Sequence, residues 1–83
     1  MNTAMMLMIA YDGRPDIDVK TVAEKHFDLS ETRFLKKVEK REIEIPIVRL
    51  EDDSRKARRV IRLSDLANFL DRKADEARRA MGL

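Results

Sequence analysis

The sequence predicts an α+β fold, a small winged helix-turn-helix domain, from three observations. Two short amphipathic segments with helical spacing are separated by a tight turn within residues 17–45. The second of these segments is basic on its outer face. Two β-branched segments around a polar loop come next, and a longer amphipathic segment ends the chain. At 83 residues, the chain is expected to form one domain, residues 1–83, with a modest core.

The first helix of the helix-turn-helix is predicted over residues 19–27, after a turn at residues 14–16. Asp18 stands where a side-chain oxygen can accept the free N–H groups of the first helical turn. The apolar residues recur at the i, i+3, i+4 and i+8 positions of one buried face, and they are Val19, Val22, Ala23 and Phe27. Asp28 and Leu29 follow as a tight turn.

The second helix is predicted over residues 31–40, with Ser30 as its N-cap and Glu31 in its first turn. Its inward residues are Phe34, Leu35 and Val38. The opposite, largely basic face carries Thr32, Arg33, Lys36, Lys37, Lys40 and Arg41. Because a helix inserted into the major groove meets phosphates and base edges together, this face predicts double-stranded DNA as the partner. A basic face that is merely solvated is the alternative.

Charge is unevenly distributed along the chain, although the formal net charge is only +2. Residues 33–62 contain 11 Lys or Arg and 6 Asp or Glu, which gives this region a net charge of +5. The rest of the chain carries 7 basic and 10 acidic residues, a net charge of −3. A basic region on a mildly acidic body indicates a polyanionic partner.

The apolar N-terminal segment predicts a short helix up to Tyr11, with a buried strand as the alternative. Asn2 or Thr3 would cap this helix, and Asp12 and Gly13 would close it. Much of its circumference is apolar, through Met5, Met6, Met8 and Ile9. We expect it to pack under the helix-turn-helix or against a second subunit. The segment is too short to span a bilayer and lacks the positive flank of a secretion signal, so no membrane contact is expected.

A β-hairpin in the position of a wing is predicted after the helix-turn-helix. Its strands are residues 45–50, where Pro46 indicates an edge or a strand start, and residues 58–63, with a polar loop between them. The candidates for phosphate contact lie at its tip and returning edge, and they are Arg55, Lys56, Arg58 and Arg59. Glu51, Asp52 and Asp53 in the same loop would repel phosphate, so only the second half of the wing is expected to touch DNA.

The last helix is predicted to begin at Ser64 as its N-cap, with Asp65 in its first turn. Its apolar stripe covers roughly four turns through Leu66, Phe69, Leu70, Ala74, Ala77 and Met81. Beyond Arg72 the apolar stripe extends further than the core of so small a domain can cover. A homodimer is therefore expected to form along Leu70, Ala74, Ala77 and Met81, and a frayed, solvated tail is the alternative.

The composition argues against an enzyme. The one histidine, His26, has no serine or carboxylate at motif spacing, and two glycines cannot form a Gly-rich phosphate loop. The absence of cysteine excludes disulfides and thiolate metal sites, and it is compatible with a reducing cytoplasm. We therefore expect no catalytic residue, cofactor, metal ion or small-molecule ligand.

Two family resemblances follow from the order of these motifs. A helix-turn-helix followed by EIPIVRL, a basic hairpin and LSDLANFLDR resembles the small winged-helix domains of phage excisionases and MerR-type regulators, including the SDL helix start at Ser64, Asp65 and Leu66. The chain more closely resembles the pyocin activator protein (PrtN) family of small phage-associated regulators. That similarity lies in the opening MNTAMMLMIAYDG, in residues 19–29 and in the IPIVRL and DLANFLDR segments, and it covers nearly the whole chain.

The PrtN resemblance implies a bacterial transcription activator that binds DNA in the cytoplasm, at the nucleoid, and turns on bacteriocin or prophage genes. RNA polymerase is a further candidate partner. One departure concerns Arg41, which stands where a glycine is expected to end the second helix, so that the helix is expected to run on to Glu42. An excisionase-like protein that bends DNA and a protein-binding anti-repressor are the alternative functions.

Overall fold

The computed structural model describes residues 2–52 and 58–83, and these residues form four helices and three short strands. In chain order they are α1 (Thr3–Ala10), β1 (Asp16–Asp18), α2 (Val19–Phe27), α3 (Glu31–Glu39), β2 (Val48–Arg49), β3 (Arg59–Arg62) and α4 (Leu63–Ala80). The arrangement confirms the predicted α+β class and is compatible with a winged helix-turn-helix.

The two ends of α1 are built as the sequence predicts. Asn2 is the N-cap, and its Oδ1 atom accepts the Met5 N–H at 2.8 Å. At the other end Asp12 and Gly13 take positive φ angles of 55° and 74°, and the Gly13 N–H donates to the Met8 carbonyl at 2.7 Å. The left-handed pair stops the helix because it turns the chain away from the helix axis.

The packing of α1 differs from the first of the two predicted arrangements, in which it lies under the helix-turn-helix, and the second, against another subunit, stays a prediction. One face of α1 packs against α4, where Thr3 Oγ1 donates to Asp71 Oδ1 at 2.6 Å, and Leu7 is its buried residue. The other face is exposed, because α4 covers only one side of the helix. Within residues 2–52 and 58–83, none of the helices combines the length and the apolar character that a bilayer-spanning segment needs.

The helix-turn-helix of α2 and α3 has the predicted boundaries. Asp28 takes the left-handed conformation with φ 53°, and the Leu29 N–H donates to the Ala23 carbonyl at 3.0 Å, so the turn is tight. Ser30 caps α3, and its Oγ atom accepts the Arg33 N–H at 3.2 Å. The predicted cap of α2 is wrong, since Asp18 makes no capping hydrogen bond; its carboxylate instead accepts from Arg58 Nε at 2.9 Å.

The end of α3 is a Schellman motif built on Arg41. The Arg41 N–H donates to the Val38 carbonyl at 3.0 Å and the Glu42 N–H to the Lys37 carbonyl at 2.9 Å. Arg41 itself has φ 61°, so it occupies the left-handed position where glycine is the usual residue. The helix therefore does not run on to Glu42, because the two hydrogen bonds of the motif outweigh the strain at Arg41.

The sheet has three strands, whereas the sequence predicts only the two strands of the hairpin. The strand order is β1-β3-β2, and both pairs are antiparallel, with Ile17 opposite Ile61 and Val48 opposite Val60. Residues 14–16 were predicted as a turn, but Asp16 opens β1. The first strand of the hairpin is shorter than predicted, because residues 43–47 run along the core outside the sheet and bury Ile43 and Ile45.

α4 begins directly after β3, two residues earlier than predicted. Arg62 occupies the N-cap position without a side-chain hydrogen bond, so Ser64 is a residue of the first helical turn and not the cap. The Leu63 N–H donates to the Pro15 carbonyl at 2.8 Å and fixes this junction against the segment before β1. Asp65 lies in the first turn, as predicted.

The core joins all the helices to the inner face of the sheet. Phe27 from α2 lies between two other aromatic rings, with ring centroids 4.9 Å from Phe34 of α3 and 5.5 Å from Phe69 of α4. Phe34, Ile61 and Leu66 are fully buried. This packing fixes the inner side of α3, so its outer face is held at a defined angle to the rest of the domain.

Candidate nucleic-acid interface

The outer face of α3 is accessible, as predicted. Five of its predicted DNA-binding residues are exposed and Lys37 is half-buried; the exposed ones are Thr32, Arg33, Lys36, Lys40 and Arg41. The face exists because the apolar residues of α3 fall on the opposite side, where Phe34 is buried and Leu35 and Val38 pack against the core.

Four of these cations share one shallow depression. It is lined by Arg33, Lys36, Lys37, Lys40 and one acid, Glu42. In the parts of the chain that the structure describes, no carboxylate forms an ion pair with any of the four cations. Positive charge without a nearby counter-charge raises the local potential and attracts phosphate.

Two arginines at the ends of β3 are placed differently from the cations of α3. Arg58, which precedes β3, has its Nε atom 2.9 Å from Asp18 Oδ1, and Arg62, the last residue of β3, has its Nη1 atom 2.7 Å from Asp16 Oδ1. Both pairs link these positions to β1, so the two cations already have carboxylate partners. Because the pairs are solvent-exposed, each stabilises the fold only weakly and leaves the arginine able to exchange its partner for a phosphate.

The two strands of the wing, β2 and β3, contribute one cationic pair that the sequence analysis does not predict. Arg49 of β2 lies directly opposite Arg59 of β3 in the antiparallel register. Like charges in directly opposed positions destabilise a sheet, so this pairing has a cost that an anion could offset. The signal was present in the sequence, since pairing the two strands around the polar loop would have brought position 49 to position 59.

Three of the predicted wing residues lie outside the described residues, and they are Arg55, Lys56 and the acidic Asp53. Glu51 and Asp52 are exposed. The opposition between acids and bases at the wing tip therefore stays a prediction.

The residues predicted to form a dimer seam on α4 divide into two groups. Leu70 and Ala74 are half-buried, and Leu70 packs against the core of its own chain. Ala77 and Met81 are exposed near the end of α4. The stripe is therefore continuous along α4, but its first part packs against the core of its own subunit. Its role in dimerisation stays a prediction.

A groove of about 550 Å³ separates the residues that follow α3 from α4. Its lining includes two cations, Arg41 and Arg72, and two acids, Glu44 and Asp65. Arg72 Nη2 donates to the Glu44 carbonyl at 2.8 Å and closes one part of it. Because the charges balance, the groove does not extend the basic surface of α3.

His26 lies away from the basic face of α3, in a contact between α2 and Tyr11, the C-cap residue of α1. The Tyr11 hydroxyl and His26 Nε2 share a hydrogen bond at 2.6 Å, and Lys25 Nζ lies 5.2 Å from the centre of the Tyr11 ring. Burial, and secondly the positive charge of Lys25, hold the pKa of His26 below its ordinary value. Burial also raises the pKa of Tyr11. These features describe a structural contact between two helices.

The fold and its exposed basic helix define a small α+β protein with the layout of a winged helix-turn-helix. The family model described as pyocin activator protein PrtN matches residues 3–77, which is most of the chain. The chain therefore belongs to the pyocin activator protein PrtN family, as its sequence resemblance predicted, and membership points to a role in activating pyocin genes. No curated protein and no solved structure matches the chain significantly.

Proposed function

We propose that this protein is a sequence-specific DNA-binding transcription activator of pyocin-type genes, acting in the bacterial cytoplasm at the nucleoid. The observation that carries the proposal is the outer face of α3, where four cations converge and only Glu42 opposes them. A polyanion is the partner that such a face fits, and the second helix of a helix-turn-helix is the element that enters the major groove. Family membership supports the choice of target genes.

In this proposal α3 lies in the major groove with its N-terminal end towards the bases. Arg33 is near that end and exposed, and its planar guanidinium can donate two hydrogen bonds to one guanine. Lys37 and Lys40 lie one and two turns further along and are suited to phosphates as mobile point charges. The Ser30 cap and the Schellman motif hold both ends of α3, so little order has to be gained on binding.

The wing supplies contacts of a second kind. Arg49 and Arg59 lie opposite each other and together offer two cations to a phosphate of the adjacent backbone. Contacts of this type position the protein on the duplex without reading its sequence. The proposal therefore assigns base reading to α3 and positioning to β2 and β3.

Two copies would act together on one operator, and RNA polymerase is the partner through which activation would occur. A single module of this size buries too little DNA surface for strong discrimination, and pairing two modules doubles the site read. An excisionase-like protein or an anti-repressor could have the same fold. DNA-binding measurements distinguish the activator from the anti-repressor, because an anti-repressor binds a protein and needs no operator.

The test begins with genome-wide mapping of binding sites of the tagged protein, followed by anisotropy titrations of the mapped operator at two salt concentrations. Arg33→Ala should cost about 1–3 kcal/mol on the operator and relax the preference at one base pair. Lys37→Ala should weaken binding to all duplexes alike and lower the salt slope by about one unit.

The matched control is Lys73→Ala, which removes the same charge from α4, where Lys73 pairs with Glu76 at 3.2 Å. It should leave operator binding nearly unchanged. If Arg33→Ala and Lys37→Ala bound like the parent, or if Lys73→Ala weakened binding as much, α3 would not be the reading helix.

A further inference from the structure

α1 is free of charge in a highly charged chain. Its sequence, TAMMLMIA, contains no Asp, Glu, Lys or Arg, whereas these residues make up 41% of the protein. Neither end of the helix carries a charged side chain in its terminal turn. A surface helix normally has a charged or polar outer face, so the outer side of α1 is unusual for a surface in contact with water.

The helical spacing separates α1 into a packed face and an open face. Thr3, Ala4, Leu7 and Tyr11 lie on the packed side, and all four are buried or half-buried. The open side carries four large apolar side chains, and the exposed fractions are 51% for Met5, 51% for Met6, 48% for Met8 and 67% for Ile9. These four residues are called the α1 apolar face.

The α1 apolar face is large enough to be a binding surface. Four side chains of this size, each exposed by about half, offer on the order of 400 Å² of apolar surface, which is the range in which the largest patch of a small protein is often functional. Single exposed apolar residues need no explanation, but four adjacent ones on two turns of helix do.

We propose that the α1 apolar face is the surface through which two copies of this chain pair, with α1 packed against α1 of the partner around a twofold axis. The argument for a second copy is complementarity. Among residues 2–52 and 58–83, the other large exposed apolar side chains are scattered: Leu50 lies in the wing, and Met81 and Leu83 lie at the C-terminal end. The one extended apolar surface that can cover this face is therefore the same face of another copy.

The helix dipoles favour an antiparallel pair. In that arrangement the partial positive charge at the N-terminal end of each α1 lies beside the partial negative charge at the C-terminal end of the partner's α1. The unbranched methionine side chains can adjust to each other, which suits a contact between identical surfaces.

The area of the α1 apolar face also indicates how tightly two copies would associate. A face of this size gives each copy about half of the roughly 800 Å² that a stable interface buries per partner. The dimer should therefore form reversibly as the concentration rises and be completed when two copies bind neighbouring sites. No residue of the α1 apolar face belongs to the basic face of α3, so pairing leaves that face open.

The experiment measures self-association without DNA, so its outcome does not depend on the proposed function. Sedimentation equilibrium of the full chain, from low to high micromolar concentration, should show a monomer–dimer equilibrium. The double variant Met6→Glu with Ile9→Glu should dimerise at least about tenfold more weakly, because pairing would bury unpaired charges in an apolar contact. Both substitutions are at exposed positions, and thermal unfolding checks that the fold is kept.

The matched control is Ala77→Glu with Met81→Glu, which adds the same two charges to the exposed part of the α4 stripe. Because the proposal places the dimer contact on α1 in place of the α4 stripe, this variant should dimerise like the parent. A second readout uses the absence of cysteine from the chain: Ile9→Cys should give a covalent dimer with a short thiol crosslinker, and Ala77→Cys should not.

Three results would overturn the proposal. The first is a parent chain that stays monomeric at every concentration, which would leave the face to a different partner. The second is unchanged dimerisation of the folded Met6→Glu, Ile9→Glu variant. The third is loss of the dimer in the Ala77→Glu, Met81→Glu variant alone, which would place the seam on α4.

Discussion

His26 shows how a single side chain can couple the stability of this domain to pH. It is the chain's one histidine, and its Nε2 atom shares a hydrogen bond with the Tyr11 hydroxyl. Protonation would place a positive charge in a half-buried position beside Lys25. The contact joins the end of α1 to α2, so this unfavourable charge would weaken the attachment of α1.

The direction of the pH effect follows from the lowered pKa of His26. The unfolded chain binds a proton near the ordinary value of 6.5, and the folded chain does so only at lower pH. The stabilisation is therefore complete above about pH 6.5 and is lost as the pH falls towards the folded pKa. The melting temperature of the parent should fall between about pH 7.5 and about pH 5.5, on either side of the ordinary histidine value.

His26→Gln is the variant that checks this prediction, since glutamine keeps an acceptor for the Tyr11 hydroxyl and does not titrate. Its melting temperature, followed by circular dichroism, should change less over the same interval. An equal fall in parent and variant would assign the pH dependence to the carboxylates.

At the scale of elements, Arg41 determines where α3 stops. A non-glycine residue at φ 61° is strained, and the Schellman hydrogen bonds around it hold it there. The same residue lies on the proposed DNA-binding face. Arg41 is therefore a position where stability and binding are expected to respond in opposite directions.

Arg41→Gly should raise the free energy of unfolding by about 1 kcal/mol, because glycine relieves the left-handed strain. For a domain of this size the gain corresponds to roughly 4–8 °C in melting temperature. Operator affinity should fall at the same time through loss of the cation. Arg41→Lys is the control: it keeps both the charge and the strain, so stability should stay near that of the parent. A destabilised Arg41→Gly protein would contradict this account.

The elements set by local signals could be predicted, and those set by distant partners could not. The boundaries of α2, the Ser30 cap and the basic face of α3 follow from helical spacing and capping within a few residues. β1 has three residues, two of them aspartates, and becomes a strand only because β3, more than 40 positions away, pairs with it. No local pattern contains that information.

In the candidate site, too, the local features could be predicted and those that depend on distant residues could not. The cations of α3 were found because one helix presents them together. The ion pair of Asp18 with Arg58 joins positions 40 apart in sequence, and the local sequence around Asp18 predicts only a helix cap. The opposed pair of Arg49 and Arg59 is not a local pattern either, although the predicted bounds of the two strands already align position 49 with position 59.

At the scale of the whole molecule, the domain measures 46 × 30 × 19 Å. The buried residues of α4 end at Phe69, so its second half adds length and not core. If two copies pair through the α1 apolar face while each presents its own α3, the operator should contain two half-sites at a fixed separation. That separation is set by the rigid dimer and by the helical repeat of DNA.

Half-site spacing tests this arrangement. Inserting about 5 base pairs between the half-sites turns one of them to the opposite side of the duplex and should abolish cooperative binding, whereas about 10 base pairs restores the facing by a full helical turn. Titration of the three operators, monitored by gel mobility, measures the effect. Equal cooperativity on all three would indicate that the copies bind independently or through a flexible joint.

The direct junction between β3 and α4 has a mechanical consequence. Arg62 ends the strand and Leu63 begins the helix, so no residue between them can act as a hinge. The 18 residues of α4 extend about 27 Å. The first half of this helix is packed into the core, so the helix turns only with the domain as a whole. A rotation of the domain by about 10° on a bound duplex therefore moves the far end of α4 by about 5 Å. The exposed end at Ala80 would thus shift with the way the domain lies on its partner.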